Sequence, residues 1–157
     1  MAAPLNWPVS VKAVTLDARR RVLLLQNERE EWELPGGRLE PSDATPEAAL
    51  ERELEEETGW TVKAGPLLDV WIYQPLPQAL PERRVVIVTY GCDVLTPAVA
   101  PVVSHEHKQI GLFAAEEVAG LRMPDGYKRS IADWYARTQL ASRAGLEVVT
   151  PWCSESS

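Results

Sequence analysis

The segment GRLEPSDATPEAALERELEEETGW, residues 37–60, decides how this chain is read. Its second half carries helix signals at both ends. Thr45 suits an N-cap, Pro46 the first helical position and Glu47 the positive end of the helix dipole, while Gly59 suits a left-handed stop. These signals predict a helix over Thr45 to Thr58. At about 100° per residue, Leu54 falls at roughly 40° from Leu50, and Glu57, Glu53 and Glu56 fall at roughly 340°, 300° and 240°. The three acids therefore form one band beside a buried leucine stripe. Glu51 and Glu55 lie on the far side, and Arg52 stands one turn before Glu56, where it can pair with it.

Such a band carries a cost. Neighbouring carboxylates repel, and these crowd the half of the helix where the dipole is already negative, at about 0.3–1 kcal/mol for each unfavourable pairing. One reading is a solvated acidic face, which the good helix propensity of Glu permits. The other is a divalent-cation site, since oxygen-only ligands on one face suit Mg²⁺ or Mn²⁺. Pro35-Gly36-Gly37, just upstream, favours the second reading because glycine lets backbone approach a ligand closely.

Outward from this segment, Val11 to Leu16 and Val22 to Gln26 read as a strand hairpin around a turn at Asp17 to Arg21, and Trp32-Glu33-Leu34 as a short extended piece stopped by Pro35-Gly36-Gly37. Trp60 to Val62 and Leu67 to Tyr73 read as strands separated by a break at Gly65-Pro66. Pro75 to Glu82 reads as a loop, and Val85 to Val94 as the most apolar strand. His107 to Phe113 is a short strand, Ala115 to Leu121 a short helix, and Asp125 to Arg143 an amphipathic helix with Ile131, Trp134, Tyr135 and Leu140 toward the core. The order β-β-α-β-β-β-α-α predicts helices packed on mixed sheets, hence an α+β fold or a sandwich of layers. Residues 1–150 are expected to form one domain, and 151–157 a flexible tail.

Composition bounds the function. The chain has 157 residues, 45% of them hydrophobic and 25% charged, with a net charge of −7. Thr45 to Gly59 alone holds six Glu and one Arg, which is −5, so the other 142 residues share −2. That distribution excludes a basic nucleic-acid footprint and points to cations, or to an anionic substrate arriving with them. Arg19-Arg20-Arg21 reads as a solvated turn. No apolar run approaches the roughly 18 residues of a membrane span. The two cysteines, Cys92 and Cys153, and an N-terminus without signal-peptide character lead to the expectation of a cytoplasmic protein.

At Gly37 to Trp60 the sequence resembles the Nudix hydrolases. Arg52-Glu53-Leu54-Glu55-Glu56-Glu57-Thr58-Gly59-Trp60 matches every defined position in the second half of that family's box. Asp43 stands where the family has Glu, with eight residues rather than seven before Arg52. This departure bears on how the loop is braced against Arg52 more than on metal binding. Trp32-Glu33-Leu34-Pro35-Gly36-Gly37 resembles the strand and loop that enter the box. The resemblance implies an α/β/α sandwich with a mixed sheet and a loop–helix–loop motif. It also implies hydrolysis of a nucleoside diphosphate linked to another moiety, with Mg²⁺ or Mn²⁺ as cofactor. By position, Glu53, Glu56 and Glu57 would be metal ligands, with the Gly37 carbonyl as a further one, and Arg52 would orient a Glu. Gly36, Gly37 and Arg38 would line the substrate.

The catalytic base in the family is a box Glu or a Glu on a later loop, and Glu106 in Ser104-His105-Glu106-His107 is the later candidate. His105 and His107 lack a third neighbour for zinc. Trp7, Trp71 and Tyr73 are candidates to stack a base, although strand aromatics are more often core. Arg83, Arg84, Lys128 and Arg129 are candidates to meet phosphates. The expected partner is a small nucleotide-type substrate, with no nucleic-acid polymer and no membrane. A homodimer is compatible with the sequence, which does not fix the oligomeric state. The alternative function is a nucleotide-binding or regulatory module of the same fold without turnover.

Overall fold

The computed structural model describes residues 6–74, 84–96, 99–102 and 109–143. The order of strands and α-helices is β1 (Val9–Thr15), β2 (Val22–Gln26), β3 (Trp32–Glu33), β4 (Gly36–Arg38), α1 (Pro46–Thr58), β5 (Val62–Tyr73), β6 (Val85–Val94), β7 (Gln109–Phe113) and α2 (Asp125–Arg143). A 3₁₀ helix, Ala115–Gly120, precedes α2. The larger sheet has the order β4-β1-β6-β5, with β1 parallel to β6 and the other pairs antiparallel. The smaller, antiparallel sheet has the order β3-β2-β7.

Two apolar clusters flank the larger sheet, because β1 is buried on both faces. Val11 and Ala13 pack with Ala49, Leu50 and Leu54 of α1, whereas Val14 packs with Tyr127, Ile131 and Trp134 of α2. β2 likewise divides, with Leu23 in the first cluster and Val22 and Leu24 in the second. This is the expected α+β fold, with a mixed sheet between two helices. Leu50 and Leu54 are fully buried, each contributing about 1.5–3 kcal/mol.

Helix α1 begins and ends as its residues predict. The Thr45 Oγ1 accepts a hydrogen bond from the Ala48 N–H at 3.0 Å, and Gly59 takes φ 74° while its N–H donates to the Glu55 carbonyl. The Arg19-Arg20-Arg21 turn is held by the Asp17 carboxylate, which accepts from the Arg19 and Arg21 amides.

Four expectations are corrected. β1 and β2 do not pair as a hairpin: they lie in different sheets and meet at the isolated bridge between Leu16 and Val22. Gly36 and Gly37 are not only a turn: they form β4 and pair with Lys12 and Val11. Gly65-Pro66 does not break the strand, since β5 runs through it and absorbs the irregularity as register shifts between Ala64 and Asp69. Leu140 is 66% exposed, whereas Ile131 and Trp134, earlier on the same helix, are buried against the sheet. The Pro75 to Glu82 loop, Cys153 and the 151–157 tail lie outside the described residues. Among the described residues, no helix is long and apolar enough to cross a membrane.

Candidate active site

The acid band of α1 lies where the wheel places it, and its burial follows the angles. Glu57, nearest the leucine stripe, is 5% exposed. The Glu53 side chain is 13% exposed and that of Glu56 59%. Helix α1 packs on β4, so the band meets the glycine strand. There the Gly36 N–H donates to Glu57 Oε2 at 3.2 Å. A Cβ on Gly37 would fall 2.5–2.7 Å from the Glu53 carboxylate atoms, so only glycine leaves that carboxylate in place. Arg38 is exposed at the end of the strand.

Arg52 gathers the acids around one guanidinium. Its Nε and NH2 form a fork on Asp43 at 3.0 and 2.9 Å. Its NH1 lies 3.1 Å from Glu53 Oε1, 3.2 Å from Glu56 Oε2 and 3.6 Å from Glu40. The extra residue in the loop lets the shorter Asp43 reach the arginine, so the brace is intact despite the departure from the family pattern. Asp43 also accepts from the Glu40 N–H at 2.8 Å, which closes the loop on itself. Hydrogen bonding to Asp43 raises the Arg52 pKa against its partial desolvation. Burial raises the Glu53 pKa, and Arg52 opposes that shift.

The Asp43 carboxyl is held below its ordinary value of 3.8, first by the Arg52 hydrogen bonds and then by the Glu40 amide. A depressed folded-state pKa stabilises the native state above the unfolded value and loses that contribution as pH falls through the folded value. Acid titration is therefore expected to destabilise the native chain below the ordinary carboxylate range. Asp43→Asn should flatten that part of the curve, as measured by thermal unfolding between pH 5 and about pH 2.

Among the described residues, no group of three His, Cys, Asp or Glu side chains is gathered so that it could hold a metal ion. The reason is visible: Arg52 NH1 stands between Glu53 and Glu56, while Glu57 is turned to Gly36. Glu106, His105, His107 and Arg83 lie outside the described residues.

The other candidates are engaged elsewhere. Trp71 packs edge-on against Tyr127 and Tyr73, at 5.0 and 6.1 Å between centroids, which is a core role. Arg84 lies over the Trp7 ring and donates to Gln74. Lys128 donates to the Ala119 carbonyl, and Arg129 pairs with Asp69 at 3.9 Å.

One cation beside the band escapes a reading of the sequence. Lys12 on β1 pairs with Gly36 across the sheet. Its side chain is 10% exposed, with Nζ 4.0 Å from Glu33 Oε1. Burial alone would lower the ammonium pKa, yet Tyr127, Glu33, Glu57 and Glu53, in that order, outweigh it and leave the pKa above 10.5. The available signal was a lysine among apolar neighbours in Val9–Thr15, a strand buried on both faces.

A helix with a braced acid face, set against a glycine strand and held in a two-helix sandwich, defines the Nudix class of hydrolase folds. The chain belongs to that family: the NUDIX domain model matches residues 6–137. The expectation of a Nudix pyrophosphohydrolase is thus borne out at the level of the family. No curated protein sequence matches. Among solved structures, a MutT protein from Methanosarcina mazei Go1 is similar at TM-score 0.68 and 23% identity, covering 88% of this chain and 99% of that one. An ADP-ribose pyrophosphatase from Streptococcus suis 89-1591 is similar at TM-score 0.59 and 20% identity, covering 88% and 93%. A UDP-X diphosphatase is similar at 0.65 and 22%, covering 87% of this chain and 66% of that one.

Proposed function

We propose that this chain is a Mg²⁺- or Mn²⁺-dependent pyrophosphohydrolase that cleaves a nucleoside diphosphate linked to another moiety, by attack of water on phosphorus. The observation that carries the reading is the acid face of α1 set against Gly36–Gly37, where a Gly37 Cβ would strike the Glu53 carboxylate. The donor set is carboxylate oxygen throughout, which fits a hard divalent ion. Glu53 and Glu56, once released from Arg52 NH1, and Glu57, once turned from the Gly36 N–H, would hold that ion, with the Gly37 carbonyl beside them. When bound, such an ion supplies Lewis-acid polarisation of the phosphate and a lowered pKa for a bound water.

The chain's own residues do the rest. Arg52 fixes Glu53 and Glu56 relative to the Asp43 loop. Glu53 is the candidate within the helix for accepting a proton from the attacking water. Glu106 is the alternative base. Gly36, Gly37 and Arg38 would line the phosphates. The names of the similar structures span MutT, ADP-ribose pyrophosphatase and UDP-X diphosphatase, which supports pyrophosphate cleavage and leaves the nucleotide open.

Purified protein should release phosphate or nucleoside monophosphate from at least one of ADP-ribose, a nucleotide sugar, a dinucleoside polyphosphate or a nucleoside triphosphate when Mg²⁺ is added. Activity should vanish in EDTA and return with excess Mg²⁺ or Mn²⁺. Saturable ligand binding with no product from any of them would favour the regulatory module instead.

A further inference from the structure

We propose that Lys12, outside the helix and loop that carry the acids, is a substrate-binding residue whose ammonium donates to a non-bridging oxygen of the substrate's diphosphate. The inference rests on the pyrophosphohydrolase reading and names a contact within that same site.

Position comes first. Lys12 lies opposite Gly36 in the β1–β4 ladder, and the Gly36 N–H holds the Glu57 carboxylate. The Lys12 backbone is therefore one cross-strand step from the place where the glycine strand meets the acid face, and the charges of Glu57 and Glu53 act on its ammonium. Bonding comes second. Among the described residues, the contact of Nζ with Glu33 Oε1 at 4.0 Å is an ion pair, but charge-assisted hydrogen bonds close to about 2.7–2.9 Å. An ammonium carries three donors, and this one meets no acceptor among those residues within hydrogen-bond distance.

Access comes third. The described side-chain nitrogens sealed from solvent without a partner are Trp7 Nε1 and Trp71 Nε1, and Lys12 Nζ is not among them. The side chain is mostly buried, with 10% of its surface left to solvent. A mostly buried ammonium that is under-bonded among the described residues is built for an anion from outside the chain. Phosphate oxygens are the natural complement of a compact point charge.

The contrast with neighbouring cations sharpens the assignment. Arg52 spends its donors on Asp43, Glu53 and Glu56, and Arg38 is exposed. A purely structural role for Lys12 would be to neutralise Glu33. That role and the proposed one separate when both partners are neutralised together, because a buried pair replaced as a pair leaves no uncompensated charge.

The test uses Lys12→Met, the double variant Lys12→Met/Glu33→Gln, and Lys12→Arg. Glu33→Gln keeps an oxygen for the Asn27 amide that now donates to Glu33. Binding of Mg²⁺–pyrophosphate and of adenosine is followed by calorimetry, and stability by thermal unfolding. The double variant should recover the melting temperature that Lys12→Met loses. It should still bind pyrophosphate about 10-fold or more weakly, the effect of a lost hydrogen bond to a charged group, with adenosine binding unchanged. Lys12→Arg should retain most of the pyrophosphate affinity. Undiminished pyrophosphate binding in the double variant would overturn the proposal. So would a loss confined to adenosine, which would move the ammonium to the nucleoside, or a failure of the wild-type chain to bind pyrophosphate. If wild-type protein hydrolyses no pyrophosphate compound, yet its pyrophosphate binding depends on Lys12, the catalytic reading fails and the Lys12 contact stands.

Discussion

Glu57→Gln is expected to lower Mg²⁺-dependent turnover by about 10²–10⁴-fold, the range for loss of a proton-transfer or charge-stabilising group, while the fold survives. The two halves of that expectation have separate physical grounds. Stability is spared because the substitution keeps size and shape, and the amide oxygen can still accept from the Gly36 N–H that now donates to Glu57 Oε2 at 3.2 Å. Activity is lost because a neutral amide cannot supply the negative charge that holds a hard cation. Glu56→Gln should behave alike, although its side chain is 59% exposed and contributes little to packing. Glu55→Gln is the control, since Glu55 is exposed on the far face of the same helix. The readout is kcat and the Mg²⁺ concentration for half-maximal activity, with circular dichroism for the fold. Full activity in both Glu56→Gln and Glu57→Gln would remove the acid face from the mechanism.

Much of this site was legible because its information is local. Caps, first-turn residues and the angular positions of Leu50, Leu54 and the three acids all lie within one helix, and the burial gradient from Glu57 to Glu56 follows those angles. What was missed depends on pairing between distant segments. Nothing in Pro35-Gly36-Gly37 says that it will lie alongside Lys12 and Val11, because a three-residue strand of mostly glycine has neither periodicity nor side chains to betray it. β5 reads as two strands from its Gly-Pro and as one once β6 supplies a continuous partner from Val62 to Tyr73. Leu140 lies about 180° around α2 from Ile131 at 100° per residue, so its exposure was legible in the angles and its apolar character alone misled the reading. Lys12 shares the difficulty of distant pairing. Its importance comes from Glu33, Glu57 and Gly36, which belong to three different elements.

The two glycines of β4 should fail in different ways, and the difference follows from what each would strike. Gly36 has φ 142°, and a Cβ there would lie 2.0 Å from the Val11 carbonyl oxygen and 2.9 Å from the Lys12 Cα. Both obstacles are backbone, so no rotamer change relieves the contact. The β1–β4 ladder at Ser10, Val11 and Lys12 must open instead. Gly36→Ala is therefore expected to cost about 3 kcal/mol or more, the range of substitutions that force strain at a special backbone conformation. This would appear as a lower urea midpoint at unchanged slope. The atoms nearest a Cβ on Gly37 are the far end of the Glu53 side chain, at 2.5–2.7 Å. That chain can swing aside, so Gly37→Ala should unfold close to wild type. Yet it would push Glu53 off the acid face and away from Arg52 NH1, now 3.1 Å away, with a large loss of turnover. One glycine is thus required by the sheet and its neighbour by the carboxylate. A Gly36→Ala protein as stable as wild type would contradict the first requirement, and a fully active Gly37→Ala protein the second.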